Sequence, residues 1–180
     1  MRIMGVDPGL QRTGYGVIDQ LDVHRYRLVE GGVICTEPDW PLEQRLAAIF
    51  SGIVEILTEF RPDIAVVEQL YSQYRHPRTA ILMGHARGAI YLAAAQHSVT
   101  IAAYPASQIK KALTGSGRAS KGQVAAMVTQ LLGLSETPTP ADVTDALALA
   151  ICHARPAMGG EAQRELPEAI RVALRRDTRR

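Results

Sequence analysis

Cysteine is scarce in this chain: Cys35 and Cys152 are the only two, too few for a disulfide framework or a closed zinc site. No apolar run is long enough to span a bilayer. No charged segment precedes an apolar one at the start, where Met1 leads straight into a strand-like run; a secretory leader is not expected. Low-complexity tracts are missing as well. The expectation is a soluble, cytoplasmic protein, and 180 residues of which 47% are hydrophobic suffice for one domain with a substantial core. The most telling absence is of one charge sign. From Gln69 to Ser135 there is no Asp or Glu, while Arg75, Arg78, Arg87, Lys110, Lys111, Arg118 and Lys121 all fall in that span, with His76, His85 and His97. A net charge of +2 conceals this block. A one-sign block inside a folded region is the footprint of a polyanionic partner; a solvated basic face with no partner is the alternative.

What is present starts with Ile3-Met4-Gly5-Val6-Asp7-Pro8-Gly9, a short apolar run closed by an acid and a turn signal. Strand side chains alternate, so Ile3, Gly5 and Asp7 share one face. A carboxylate there is costly to bury unless a cation, hydrogen bonds or a metal ion neutralises it. Alternatively, Asp7 caps its own turn. The pattern recurs in Ile64-Ala65-Val66-Val67-Glu68. Residues 13–18 read as a second strand, and residues 24–36 as a third with a possible bulge at Gly31-Gly32. Apolar residues from Leu42 to Phe60 then follow helical spacing, entered at Trp40-Pro41 and ended before Pro62. A meander of three strands followed by a right-handed crossover sets the Glu68 strand beside and parallel to the Asp7 strand. Both acids then lie at the carboxyl ends of neighbouring strands, where open α/β sheets bind ligands.

Further along, residues 69–77 read as a surface loop, 79–96 as a helix rich in small residues, and 99–104 as a fifth strand. Helices over 107–113 and 121–132 flank a basic Gly/Ser loop whose N–H groups suit a phosphate, although it lacks the spacing of a Walker loop. The last strong helix spans 141–154, with Thr139 expected as its cap and Pro140 at its first position. Asp142 and Asp145 are three apart and share a face; macrodipole stabilisation explains acids at a helix start equally well. Two strand-end and two helix-face carboxylates suit a hard divalent cation such as Mg²⁺ or Mn²⁺. Two such ions about 4 Å apart clamp an in-line phosphoryl displacement. The basic surround would then hold a nucleic-acid backbone against an acidic centre.

Asp7-Pro8-Gly9 with Thr13-Gly14-Tyr15-Gly16-Val17-Ile18, Val67-Glu68-Gln69, Gly84-His85-Ala86-Arg87-Gly88 and Ala141-Asp142-Val143-Thr144-Asp145-Ala146-Leu147-Ala148 together resemble the RuvC family of bacterial Holliday-junction resolvases. The likeness runs in order from about residue 2 to 155. It implies an α/β, ribonuclease-H-like fold: a five-stranded mixed sheet, three antiparallel then two parallel strands, with flanking helices. The nuclease domain is expected over 1–156, and residues 157–180 read as a basic C-terminal tail, either flexible or with a short helix at 167–176. The resemblance also implies a homodimer that cuts two opposing strands of a four-way DNA junction in recombination and repair, coupled to the RuvA–RuvB branch-migration machinery. The family's catalytic acids fall on Asp7, Glu68, Asp142 and Asp145; some members have His at the third position. Its junction wedge falls on Tyr71, a position that is Phe in another member, although a plain rim tyrosine explains Tyr71 too. Its DNA-contacting lysines match Lys110 and Lys121, with Lys121 beside the scissile phosphate; Arg75, Arg78, Lys111 and Arg118 complete the expected DNA surface. The helix over 79–96 is the candidate dimer face, although packing on its own sheet explains its small residues equally well.

Three rival readings fit less well. Actin-like ATPases and sugar kinases share the fold family but need a second, duplicated domain, for which 180 residues leave no room. A related nuclease acting on RNA or ordinary duplex fits the Gly-His-Ala-Arg-Gly helix and the Asp142/Asp145 spacing poorly. A junction binder without catalysis would require a lost acid, and none is lost.

Overall fold

The computed structural model describes residues 1–69 and 77–155. Tyr71, Arg75 and the tail lie outside those residues, as does the side chain of Arg78. Five strands form one sheet: β1 (Arg2–Asp7), β2 (Arg12–Gln20), β3 (Tyr26–Cys35), β4 (Ile64–Glu68) and β5 (Thr100–Tyr104). Their spatial order is β3-β2-β1-β4-β5. β1 to β3 are antiparallel neighbours, and β4 and β5 join in parallel. The five helices are α1 (Leu42–Phe60), α2 (Pro77–Gln96), α3 (Ala106–Thr114), α4 (Lys121–Leu131) and α5 (Ala141–Ala154). None of the helices among the described residues is long and apolar enough to cross a membrane.

Strand alternation sorts the core into two layers. Ile3, Ile18, Val66 and Ala102 face one cluster, built with α3, α4 and α5. Met4, Val6, Val17, Ala65 and Val67 face the other, built with α1 and α2 through Ile49, Ile53, Ile90 and Ala93. Each fully buried aliphatic side chain contributes about 1.5–3 kcal/mol, so β1, buried on both faces, anchors the sheet. Asp7 falls on the α5 side, in phase with Ile3 and Gly5. β1 and β4 pair Val6 with Val67, which sets Asp7 and Glu68 at the same end of adjacent parallel strands.

α5 lies on the sheet at backbone range. A Cβ on Gly5 would stand 1.9 Å from Ala146 O, and one on Gly14 would stand 2.2 Å from Asp142 O. Its far end is tied down by a buried Tyr104 Oη–His153 Nδ1 hydrogen bond of 2.8 Å and by Gln20 Nε2 donating to Ala154 O at 2.9 Å.

Two local expectations are corrected. The bulge is not at Gly31-Gly32, which pair in register with Gly16 and Tyr15; the register instead shifts between Val17 and Ile18, whose partners are Glu30 and Leu28, leaving Val29 as the extra residue. The two glycines give clearance: their Cβ atoms would meet Val143 Cγ1 at 2.9 Å and Tyr15 Oη at 2.6 Å. The cap of α5 is Pro140, with no side-chain cap bond, rather than Thr139. Thr144 Oγ1 instead donates to Pro138 O at 2.8 Å and pins the incoming chain. Element ends otherwise agree with the sequence reading to within two residues; β2, for example, runs to Gln20 and β3 begins at Tyr26.

Candidate active site

Asp7 is the last residue of β1, Glu68 the last of β4, and Asp142 and Asp145 occupy the first two turns of α5. Because the Gly5 and Gly14 positions lack a Cβ, α5 sits low enough to bring its acids over the strand ends. Their mutual influence shows in Asp7, whose carboxyl is pushed up to about 7 by burial and then by the charges of Glu68, Asp145 and Asp142, against the pull of Lys121. Glu68 is also raised, first by burial and then by Asp145, while Lys121, Arg87 and Lys110 oppose the shift. A cluster of like charges in which one carboxyl is held near neutrality is a frequent mark of a functional site.

Lys121 closes one side. It is the first residue of α4, whose start is fixed by a capping box between Ser120 and Gln123. Its Nζ donates to Asp145 Oδ2 at 2.9 Å. That hydrogen bond, the Asp145 charge and then Asp7 and Glu68 raise its pKa against desolvation, so it stays an ammonium at neutral pH. On the other side Arg12 Nε donates to Asp142 Oδ2 at 3.0 Å. Among the described residues no group of three or more Asp, Glu, His or Cys is drawn close enough together to hold a metal ion as it stands. The donors are right in kind, but two of the four carboxylates are each turned onto a side-chain cation.

A crossover junction endodeoxyribonuclease RuvC profile matches residues 3–153 of this sequence. The chain belongs to the RuvC family. The RuvC of Desulforamulus reducens is 46% identical over 155 residues, 86% of this chain and 94% of that protein. T. thermophilus RuvC, solved in complex with a Holliday junction substrate, superposes with a TM-score of 0.85 at 40% identity, covering 90% of this chain and 98% of that one. The yeast mitochondrial Holliday junction resolvase Ydc2 superposes with a TM-score of 0.59 at 13% identity, over 85% of this chain and 77% of its own. That level of likeness speaks for the fold alone. The fold is thus the ribonuclease-H-like one expected from the sequence.

In this chain Glu68, Asp142, Asp145 and Lys121 all lie near enough for their charges to act on Asp7. Lys110 on α3 is near enough to oppose the shift of Glu68. Lys111 and Arg118 are exposed, on α3 and on the turn into α4. Two residues took no site role in the sequence reading. Arg12 is one. Arg87 is the other: its Nη1 donates to the Glu68 carbonyl, its Nη2 donates to Tyr91 Oη at 2.7 Å, and its guanidinium lies 5.0 Å from the Tyr91 ring centre. Arg87 belongs to the Gly-His-Ala-Arg-Gly stretch, so its motif was visible while its task was not. For Arg12 the sequence holds no signal, since its partner is 130 residues away.

Proposed function

We propose that this chain hydrolyses phosphodiester bonds on two opposing strands of a four-way DNA junction, with Mg²⁺ or Mn²⁺ held by Asp7, Glu68, Asp142 and Asp145. The observation that carries this reading is the meeting of four carboxylates and Lys121 at one sheet end, in a member of a crossover-junction endonuclease family. Carboxylate oxygens are the ligands hard divalent cations prefer, and the repulsion that raises Asp7 is what such a cation would relieve. When bound, two ions supply Lewis-acid stabilisation of the attacking and leaving oxygens.

The rest of the chemistry falls to the chain. Lys121, held at the start of α4, brings an ammonium to the site where a scissile phosphate gains charge. The helix start adds its own positive end to the same anion. Lys110, Lys111 and Arg118, with Arg75 and Arg78, supply the phosphate contacts that hold the backbone. Tyr71 is the wedge at the junction core, a role that opened base steps accommodate. Two matched cuts need two centres, and a C₂ dimer presents them by one symmetry operator.

The outer face of α2 suits that dimer. Ala86, Ile90 and Ala93 are spent on the chain's own core, whereas a Cβ on Gly84 or Gly88 would meet nothing within 4 Å. Ile81 and Leu92 are 61% and 54% exposed, and a groove of about 440 Å³ between α1 and α2 is lined by Leu46, Phe50, His85, Gly88, Ala89 and Leu92. Packing on its own sheet therefore accounts for only half of the helix's small residues. Leu92→Glu is expected to shift the chain toward monomer in sedimentation and to turn paired incisions into single nicks. A dimer unchanged by Leu92→Glu would move the interface elsewhere. Coupling to RuvA–RuvB and a cytoplasmic location belong to the same proposal.

The direct test is cleavage of a synthetic four-way junction beside a matched linear duplex, in Mg²⁺, in Mn²⁺ and in EDTA. Paired, metal-dependent cuts in the junction alone are expected. Equal cutting of the duplex, or cutting in EDTA, would sink the proposal.

A further inference from the structure

Arg12 opens β2, and its contact with Asp142 is built rather than incidental. The turn from which it reaches is clamped: Thr13 Oγ1 donates to Gly9 O at 2.7 Å, Thr36 N donates to Gln11 O at 3.0 Å, and Thr36 Oγ1 donates to Leu10 O at 2.5 Å. Arg45 Nε in turn donates to Thr36 Oγ1 at 3.1 Å and backs that clamp from α1. Opposite, the backbone of Asp142 is fixed by the close seat of α5 on Gly14. Both ends of the Arg12–Asp142 pair are thus positioned by backbone held elsewhere. The side chains themselves stay accessible, 50% exposed for Arg12 and 29% for Asp142.

Resting on the metal-centre reading above, we propose that Arg12 is a resident stand-in cation for Asp142, which a divalent ion has to displace before Asp142 can act as its ligand. Arg12 and Lys121 divide the helix acids between them, one cation to each carboxylate. A guanidinium does not deprotonate in proteins, so it yields Asp142 only by swinging away. An exposed ion pair is weak enough for that to happen and strong enough to register, withholding a factor of about two to five in metal affinity. Arg12 is a positioning residue: in the metal-free chain it keeps Asp142 from facing its like-charged neighbours unscreened, and it raises the metal concentration at which the site fills.

The experiment is Mn²⁺ binding to the full chain without DNA, followed by electron paramagnetic resonance of the free ion, for wild type and Arg12→Gln. Thermal melts of both are run in EDTA and in saturating Mn²⁺. Arg12→Gln is expected to bind Mn²⁺ about two- to fivefold more tightly. It is also expected to melt below wild type in EDTA and level with it in saturating Mn²⁺, because the pair is already broken in the loaded state. Unchanged or weaker Mn²⁺ binding would overturn the role of Arg12. So would a melting gap that persists at saturation, since that marks a purely structural contact. A wild-type chain that binds no Mn²⁺ would instead remove the metal-centre reading, and this inference with it.

Discussion

Asp7→Asn is expected to abolish junction cleavage, by at least about a thousandfold, while making the metal-free protein more stable at pH 8. The two effects have one cause. Burial and three neighbouring carboxylates push Asp7 up to about 7 from an ordinary 3.8. Between those values the folded chain holds a proton that the unfolded chain has released. Stability therefore falls as pH rises through that window, and above it the whole cost of a buried, repelled charge is present. The substitution removes that cost, on the order of 2–4 kcal/mol at pH 8, and gives nothing near pH 4. Urea unfolding in EDTA at pH 4, 6 and 8 reads the slope, and Mg²⁺ at pH 8 should narrow the gap by stabilising wild type alone. Junction affinity, measured by anisotropy, should hold or rise, since one negative charge is gone from the DNA-facing site. Cleavage near the wild-type rate would take Asp7 out of the catalytic set, and a pH-independent stability difference would undo its electrostatic account.

Among the glycines of the described residues, Gly5→Ala is expected to be the most damaging substitution. Its Cβ would lie 1.9 Å from Ala146 O and 2.9 Å from Ala150 N, both of them backbone atoms of α5. Neither can turn aside, so the helix has to lift off the sheet. Overpacking of ordinary side chains costs about 1–3 kcal/mol; with a helix backbone in the way, about 3 kcal/mol or more is expected, read as a lower urea midpoint. Cleavage should fall further than stability explains, because the lift carries Asp142 and Asp145 away from Asp7 and Glu68. Gly122→Ala is the matched control. In the first turn of α4 its Cβ meets only Ser120 Oγ at 4.0 Å, and the helix should gain up to about 1 kcal/mol from it. Equal stability of Gly5→Ala and wild type would mean that α5 does not sit where the structure puts it.

The parts of the site legible in the sequence are those set by periodicity. Asp7 and Glu68 close apolar runs, and alternation alone assigns Asp7 to the face it takes. Asp142 and Asp145 share a helix face because they are three apart. The parts that were not legible depend on tertiary reach. Arg12 finds Asp142 across the fold, and Arg87 finds the Glu68 carbonyl from a helix that also had a core to fill. The glycines misled for a related reason: at Gly31-Gly32 the backbone stays in register and the missing side chains serve Val143 and Tyr15, a need that no local pattern announces. Thr139 looked like a cap by residue type, but Pro140 takes the position and the neighbouring Thr144 holds the chain.

The close seat of α5 also sets an order in time. α5 is the last of the described elements to leave the ribosome, yet it packs on β1 and β2, which leave first, and 130 residues separate Arg12 from Asp142. Contacts of such long sequence separation form late, once the intervening chain has been made and closed into a loop. Until then the nascent chain carries Asp7 and Glu68 without their two partners on α5. On the proposed reading, a half-made copy would carry the basic block already synthesised and only two of the four carboxylates of the centre. Assembly of the fold would then be, on that reading, the first safety catch on cutting.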